Sequence, residues 1–377
     1  MLRVAIDARL LAYQRAGTAT YIRGLLGGLT AASGLDVLAL QSRRDSEPLA
    51  NLPTRRLWTP PHHRWERWAL GLEVLGLAVR CASEGQAIRV LHSPDFIPPF
   101  RFGRFARVIT VHDLAFLRFP ELLTPASQRY YGQIRRAVQE AERVIAVSET
   151  TRRDLLELVD ARIAAKVAVI PEGVEPAFRP LDPAWARDRV RERFGLDRPF
   201  LLFVGTLEPR KNLPRLLRAF GRFRERFGDG APLLAVAGNR GWLSDDLESV
   251  ARPLGSAVRF LGRVADDDLV ALYNGAVAHV LVSLYEGFGL PALEAMACGC
   301  PTLVAEGSAL VEVVGEAGVT VNPLDEVAIA EALARLWEDG GLRARLAAAG
   351  PVRAAGYSWR AVARQTEKVY REAACAS

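Results

Sequence analysis

The chain is short of the residues on which several function classes depend. Its 377 residues include only four cysteines, at 81, 298, 300 and 375, and five histidines. Cys298 and Cys300 have one residue between them and no histidine close by in sequence. That spacing suits neither a metal site nor the disulfide framework of a small secreted domain, so the thiols are read as structural. Long apolar runs are missing as well. LLFVG and HVLVSL stop far short of the roughly 20 residues that cross a bilayer, and MLRVAIDARL lacks a signal-peptide pattern. A cytoplasmic protein is expected, with peripheral contact at the inner face of the plasma membrane as an open alternative. Charge of one sign is scarce: 49 basic against 43 acidic residues leave a formal +6. This modest, dispersed excess argues against a dedicated nucleic-acid binder and suits an enzyme for anionic substrates, or one that touches acidic lipid.

What is present is the material for two cores. Half the residues are apolar and a quarter charged, and the length is too great for one ordinary domain. Short β-branched runs alternate with segments of helical period, the pattern of a parallel sheet covered by helices. In the first half these runs are LRVAID, DVLALQ, RVLHS, RVITVH, RVIAVS and KVAVI; in the second, FLLFVG, LLAVAG, VRFLG, HVLVS and PTLVA. The fold class expected is α/β, with two Rossmann-like doubly wound domains at 1–175 and 176–357. Proline-rich PEGVEPAFRPLDPAW, residues 171–185, reads as the linker. The final segment, 358–377, places Trp359, Val362, Ala363, Thr366, Val369 and Tyr370 on one helical stripe after Ser358 as N-cap.

Segment 62–80, HHRWERWALGLEVLGLAVR, interleaves arginines with tryptophans. It reads as a helix packed on the first sheet. The alternative is a helix on a membrane surface, with Trp65 and Trp68 in the interface and Arg64, Arg67 and Arg80 on acidic headgroups.

Ligands of open α/β sheets bind beyond the carboxyl ends of the strands. In TLEPRKNLPRLLRAF, Asn212 is an expected N-cap and Pro214 suits a first turn, so Arg210 and Lys211 precede a helix N-terminus and suit a diphosphate. In SLYEGFGLPALEAMACGCP, Pro291 suits the first turn of a second helix. Gly289 and Leu290 are then expected to offer backbone N–H groups, and Gly287 and Gly289 to allow close approach of a phosphate. Glu294 is placed in that first turn, where it could accept two hydrogen bonds from a ribose diol. Glu286 is expected to point from the strand end toward sugar hydroxyls. His112, at the end of a first-half strand and followed by Asp113, is expected to face the site and contact the sugar or phosphate. His92 and Asp95 are secondary candidates on the acceptor side.

With these residues in hand, the sequence resembles a family 4 retaining glycosyltransferase of the two-domain GT-B fold, of the mannosyltransferase type found in polysaccharide biosynthesis. The resemblance runs through GTATY, TVHDL, RVIAVSETTRRDL, VIPEGV, LLFVGTLEPRKN, VRFLGRVADDDLVALY, the EGFGLPALE stretch and the closing YSW helix. It implies a nucleotide-diphosphate sugar, best guess GDP-mannose, and a lipid-linked or oligosaccharide acceptor. By the same resemblance Arg210 and Lys211 hold the diphosphate, Glu294 the ribose, and Glu286 with Gly287, Phe288, Gly289 and Leu290 the sugar and phosphate. His112 lies beside the anomeric centre, and Gly17, Thr18, Gly205, Thr206, Arg263 and Val264 complete the donor contacts. No cofactor or metal is implied, and nothing in the chain is read as resembling the D-x-D metal site of the other major glycosyltransferase fold. The closing helix is expected to cross back to the first domain. The chain departs from the family pattern at Thr206, where many relatives have arginine, at Glu172 in PEGV, where PNGV is common, and in the first-domain loop, which lacks a common G-x-G form. An epimerase of nucleotide sugars and a non-catalytic binder of the same fold are the competing readings.

Overall fold

Runs of valine, leucine, isoleucine and alanine with no polar interruption can be buried on both faces, as the inner strands of a helix-covered parallel sheet require. The computed structural model describes residues 1–376 apart from 13–16, 33, 46–48, 50, 51, 64, 101, 124 and 240–244. It contains two such sheets in two units, Met1–Gly173 with Ser358–Ser377, and Val174–Tyr357.

In the first unit the strands are β1 (Leu2–Asp7), β2 (Leu35–Ser42), β3 (Thr54–Leu57), β4 (Val90–Ser93), β5 (Ala106–Val111), β6 (Arg143–Ala146) and β7 (Val167–Val169). They lie in the order β3-β2-β1-β4-β5-β6-β7, all parallel. Every residue of β5 is buried. The second unit holds β8 (Phe200–Val204), β9 (Leu233–Ala237), β10 (Val258–Gly262), β11 (Ala278–Leu281), β12 (Thr302–Ala305) and β13 (Val319–Val321). Their order is β10-β9-β8-β11-β12-β13, again parallel. Each sheet therefore reverses its winding once, between β1 and β4 and between β8 and β11. The loops that leave these pairs diverge, and the crevice between them is where ligands of this architecture bind.

The Trp359–Ala376 helix packs in the first unit against the Gly17–Ala32 helix. Sequence explains how closely. A Cβ added at Gly24 would lie 2.0 Å from the Trp359 ring, and one at Gly28 would lie 2.4 Å from the Trp359 carbonyl oxygen. Gly24 thus makes room for the indole, and Gly28, one helical turn on, for the backbone that carries it. All six residues of the predicted stripe are buried, together with Ala373, and the Ser358 hydroxyl accepts from the Ala361 amide at 3.3 Å. The chain passes from the first unit to the second between Gly173 and Val174, and helix Pro183–Phe194 takes in the end of the proline-rich stretch.

The segment with alternating arginine and tryptophan forms helix Glu66–Ser83. Its Trp65 and Trp68 are about half exposed, at 53% and 51%, but Arg67 faces inward. Its guanidinium donates to Glu140 at 2.6 Å and to the Pro98 carbonyl at 3.1 Å. Arg67 is thus not a headgroup ligand, because the same helical turn that exposes Trp68 turns its neighbour toward the core. Arg64 lies outside the described residues. Among the described residues no helix is long and apolar enough to cross a membrane.

Candidate functional site

The loop leaving β8 contains a tight 3-10 turn, Pro209–Lys211, followed by helix Leu213–Phe227. Asn212 joins them in the left-handed conformation, φ 59°. It does not cap the helix with its side chain as expected from sequence. The amide instead donates to the carbonyls of Val282 at 3.0 Å and Pro323 at 2.7 Å, while its oxygen accepts from Arg215 at 2.7 Å. Asn212 thereby ties the β8 loop to the β11 loop, a use that a polar residue before a helix does not disclose.

The two loops meet at Glu286. Its carboxylate is 5% exposed and accepts from Lys211 Nζ at 2.5 Å, Arg210 Nη1 at 2.8 Å and Ser283 Oγ at 2.7 Å. Arg210 Nε also lies 2.6 Å from Glu208 Oε1. Burial alone would raise the Glu286 pKa, but the adjacent Lys211 and Arg210 charges outweigh it and hold the group at about 2. In this structure Glu286 faces Lys211, Arg210 and Ser283, and Glu286 with Glu208 offsets the charge of Arg210 and Lys211. Glu208 and Ser283 were not singled out in the sequence, although Ser283 stands three residues before Glu286 and Glu208 two before Arg210, offsets that allow these contacts in a tight turn.

After Glu286 the chain runs through Gly287, Phe288, Gly289 and Leu290, all buried, into helix Leu290–Ala297. Gly289 has φ 112°, and a Cβ there would lie 2.5 Å from Leu310 Cδ2, so this start of the helix is open only to glycine. Glu294 is the fifth residue of the helix, just past the first turn in which it was expected and so beyond the strongest part of the dipole. It is half-buried and accepts from the Tyr273 hydroxyl at 3.1 Å. Gly205 and Thr206 follow β8, and a Cβ on Gly205 would lie 3.6 Å from Lys211 Cε, so the lysine stem runs beside that glycine. Arg263 and Val264 follow the edge strand β10, with Arg263 exposed. The structure thus gathers Arg210, Lys211 and Glu286 with Gly205 at the β8/β11 switch point, and the EGFGL backbone follows directly.

Asp266–Asp268 does have D-x-D spacing, but Asp268 is buried and paired with Arg189 at 2.7 Å and Arg193 at 3.2 Å. Among the described residues no cluster suits a metal ion. Cys81, Cys298 and Cys300 are buried, and burial, helped by the Glu294 charge, pushes the Cys298 thiol up to about 12.

In the first unit Gly17 and Thr18 open helix Gly17–Ala32. His112 follows β5 and is held at both nitrogens, Nδ1 to Glu172 Oε1 and Nε2 to the Pro94 carbonyl, each at 2.8 Å. A carbonyl and an ionised carboxylate only accept, so this geometry favours a ring that donates from both nitrogens, the imidazolium form. Burial would lower its pKa, yet Glu172 and the Pro94 carbonyl prevail and raise it. Glu172, noted in the sequence only as a departure in PEGV, is therefore the counter-ion of His112. His92 is different. It is 0% exposed, bonded to Tyr370 at 2.7 Å and Thr110 at 2.9 Å, and burial pushes its pKa down to about 3. It is a neutral core residue that fastens the closing helix, not an acceptor ligand. Asp95 lies near the surface, 3.3 Å from His62 Nε2.

The family models agree with this architecture. Residues 15–178 match Glycosyltransferase Family 4 and residues 186–353 match Glycosyl transferases group 1. The O-antigen chain mannosyltransferase B of Escherichia coli is 32% identical over 75% of this chain and 74% of its own length. A D-inositol 3-phosphate glycosyltransferase of Salinispora tropica is 35% identical over 71% of the chain, which spans 59% of that relative. Among solved structures, Anabaena Alr3699/HepE in complex with UDP and glucose superposes with a TM-score of 0.74 at 17% identity, over 98% of this chain and 99% of that one. The chain belongs to the family 4 glycosyltransferases, with two parallel-sheet units of the GT-B type.

Proposed function

We propose that this glycosyltransferase moves mannose from GDP-mannose to a lipid-linked or oligosaccharide acceptor in cell-surface polysaccharide synthesis, with retained anomeric configuration and without a metal. The observation that carries the reading is the paired-cation cluster of Arg210, Lys211 and Glu286 at the switch point of the second sheet, in a chain 32% identical to an O-antigen chain mannosyltransferase. In this reading the diphosphate displaces part of the carboxylate contacts and takes Arg210 and Lys211 for itself. Glu294 binds the ribose. As the glycosidic bond breaks, charge accumulates on the leaving diphosphate, and two fixed cations beside it stabilise that state more than the ground state. His112, half-buried and paired with Glu172, is the residue this reading assigns to the sugar beside the anomeric centre.

The test is a panel of GDP-, UDP-, ADP- and dTDP-sugars, read by thermal stabilisation and by slow hydrolysis with and without chelator. GDP-mannose is expected to give the largest effect, unchanged by chelation, and NMR of the transfer product is expected to show the donor's anomeric configuration. Indifference to all four nucleotide classes would refute the donor site.

A further inference from the structure

Helix Glu66–Ser83, with Trp65 at its N-cap, keeps its charge inside and an apolar stripe outside. Glu66 and Arg67 are buried, Glu66 against Arg9 at 2.7 Å and Arg67 against Glu140 at 2.6 Å. Glu73 turns back to accept from the Trp58 and Thr59 amides at 2.6 and 3.0 Å. What faces solvent is apolar or small. Trp65, Ala69, Leu72, Gly76, Val79 and Ser83 are all exposed and recur in alternating steps of four and three, the seam of a coiled coil. Among the described residues the helix exposes a single charge, Arg80. All of these belong to the first unit.

Period, a glycine and area together say what covers this stripe. The large residues Trp65, Leu72 and Val79 stand seven apart, and so do the small ones, Ala69, Gly76 and Ser83. A parallel pair of such helices would set large on large and small on small. An antiparallel pair sets Trp65 on Ser83, Leu72 on Gly76 and Val79 on Ala69, about an axis level with Val74. Each contact is then made twice, as a two-fold interface requires. Gly76 has no reason within its own chain: a Cβ there would meet nothing within 4 Å, yet glycine costs a mid-helix position about 1 kcal/mol relative to alanine. Close approach of a second helix supplies the reason. As for area, Trp58 is 72% exposed and held beside the helix by Glu73, with the Arg43 guanidinium 3.3 Å from its ring centroid. On the other flank Trp68 lies 4.5 Å from the Phe100 ring. Leu72 is 59% and Val79 62% exposed. At roughly 200 Å² for a tryptophan and roughly 100 Å² for leucine or valine, about 450 to 500 Å² stands bare. Two such faces bury about 900 to 1,000 Å², which reaches the size of a specific but weak interface. A bilayer surface would use the tryptophans but not the seven-residue alternation of size. Interfacial helices also carry lysines and arginines opposite their apolar face, where this helix has the buried Glu66 and Arg67.

We infer that two copies of this chain pair through helix Glu66–Ser83, antiparallel about a two-fold axis level with Val74, with Leu72 of each copy seated on Gly76 of the other. At this area the dimer is weak and reversible, with a Kd on the order of 10 µM. The inference is independent of the donor and of the glycosyl-transfer reading above.

The experiment is sedimentation velocity of the full chain from about 1 to about 200 µM, on either side of that Kd. The mass is expected to rise with concentration from 41.3 kDa toward twice that value. Gly76→Leu sets leucine against leucine twice about the axis. It is expected to weaken pairing at least tenfold, although it adds apolar surface, and to leave Tm unchanged or raised, because its Cβ meets nothing in its own chain. Leu72→Ala combined with Gly76→Leu exchanges large and small within one layer and is expected to restore pairing to within about threefold of wild type. Association driven by exposed apolar surface alone would instead strengthen with Gly76→Leu. The inference is overturned by a wild type that stays monomeric throughout this range, by a Gly76→Leu chain that pairs as tightly as wild type, or by a double variant that does not recover. A wild type that binds anionic vesicles and does not self-associate would give the face to lipid and overturn it as well.

Discussion

Replacing Glu286 by glutamine tests the ionic centre of the second unit, because it keeps the shape of the side chain and removes the charge that Lys211 and Arg210 share. Folding lowers this carboxyl from its ordinary 4.5 to about 2. At ~1.4 kcal/mol for each tenfold in the equilibrium, that displacement is worth about 3 kcal/mol when the group is ionised in both states. Since the folded pKa is the lower one, the contribution is complete above about 4.5 and drains as the pH falls toward about 2. At pH 3 only about 1 kcal/mol remains by the same linkage. Glu286→Gln also leaves Lys211 buried without its carboxylate, at a cost of roughly 3 to 5 kcal/mol near neutrality. Hydrogen exchange of the β11 amides and of the helix Leu290–Ala297 reads local stability without requiring the two units to unfold in one step. The variant is expected to be markedly less protected than wild type at pH 7, and the gap to narrow by about 2 kcal/mol at pH 3. A gap of the same size at both pH values would refute the argument, because the charge would then not be what stabilises the loop.

Glu172→Gln removes the charge facing His112 Nδ1 but keeps an acceptor, so the His112 titration midpoint is expected to fall. With five histidines in the chain the ring resonances can be followed individually, and an unmoved His112 midpoint would contradict the pairing. His112 stabilises the fold most below its unfolded pKa and loses that contribution as the pH rises through its raised folded value, so the variant should lose stability chiefly on the acid side. Lys211→Ala is expected to weaken nucleotide-sugar binding by tenfold or more in calorimetric titration, and undiminished affinity would move the diphosphate elsewhere. Gly28→Ala should lower Tm by several degrees despite alanine's ~1 kcal/mol better helix propensity, since its Cβ would meet the Trp359 carbonyl at 2.4 Å; a raised Tm would refute the close packing. Exchanging Trp65 and Trp68 for serine should abolish co-sedimentation with anionic vesicles if that exposed face meets lipid, and a wild type that ignores such vesicles would exclude it.

Most of the fold was legible because its signal is local. Strands buried on both faces must be continuous apolar runs, and the eleven found in the sequence correspond to β1, β2, β4 to β7 and β8 to β12. The two that were missed, TRRL of β3 and VTV of β13, are short edge strands with one face to solvent, so burial imposes no pattern on them. The closing helix could be read because its period is 3.6 and its buried stripe unbroken. The site was legible at the level of which loops matter, since a strand followed by glycine, charge and a helix start is a local pattern. Its internal wiring was not. That Glu286 turns back onto Lys211, that Glu172 faces His112 across 60 residues of sequence, and that Asn212 joins two loops instead of capping a helix are all consequences of long-range approach. Nothing in the neighbouring residues encodes them. His92 and His112 show the same limit: both lie at the ends of strands of one sheet, yet the hydroxyls of Tyr370 and Thr110 around one and the Glu172 carboxylate beside the other push their pKa values in opposite directions.

The space left by Gly24 and Gly28 is taken up by Trp359, which emerges from the ribosome more than 300 residues later. The intervening stretch, Val174–Tyr357, is contiguous and has every strand of its own sheet at hand as soon as it is made. Vectorial synthesis therefore favours an inverted order of maturation, in which the lobe that starts first is sealed last. Until that seal arrives, the nascent chain carries an uncovered apolar seam along its earliest helix, the surface on which a holdase would act and at which premature termination would be most damaging.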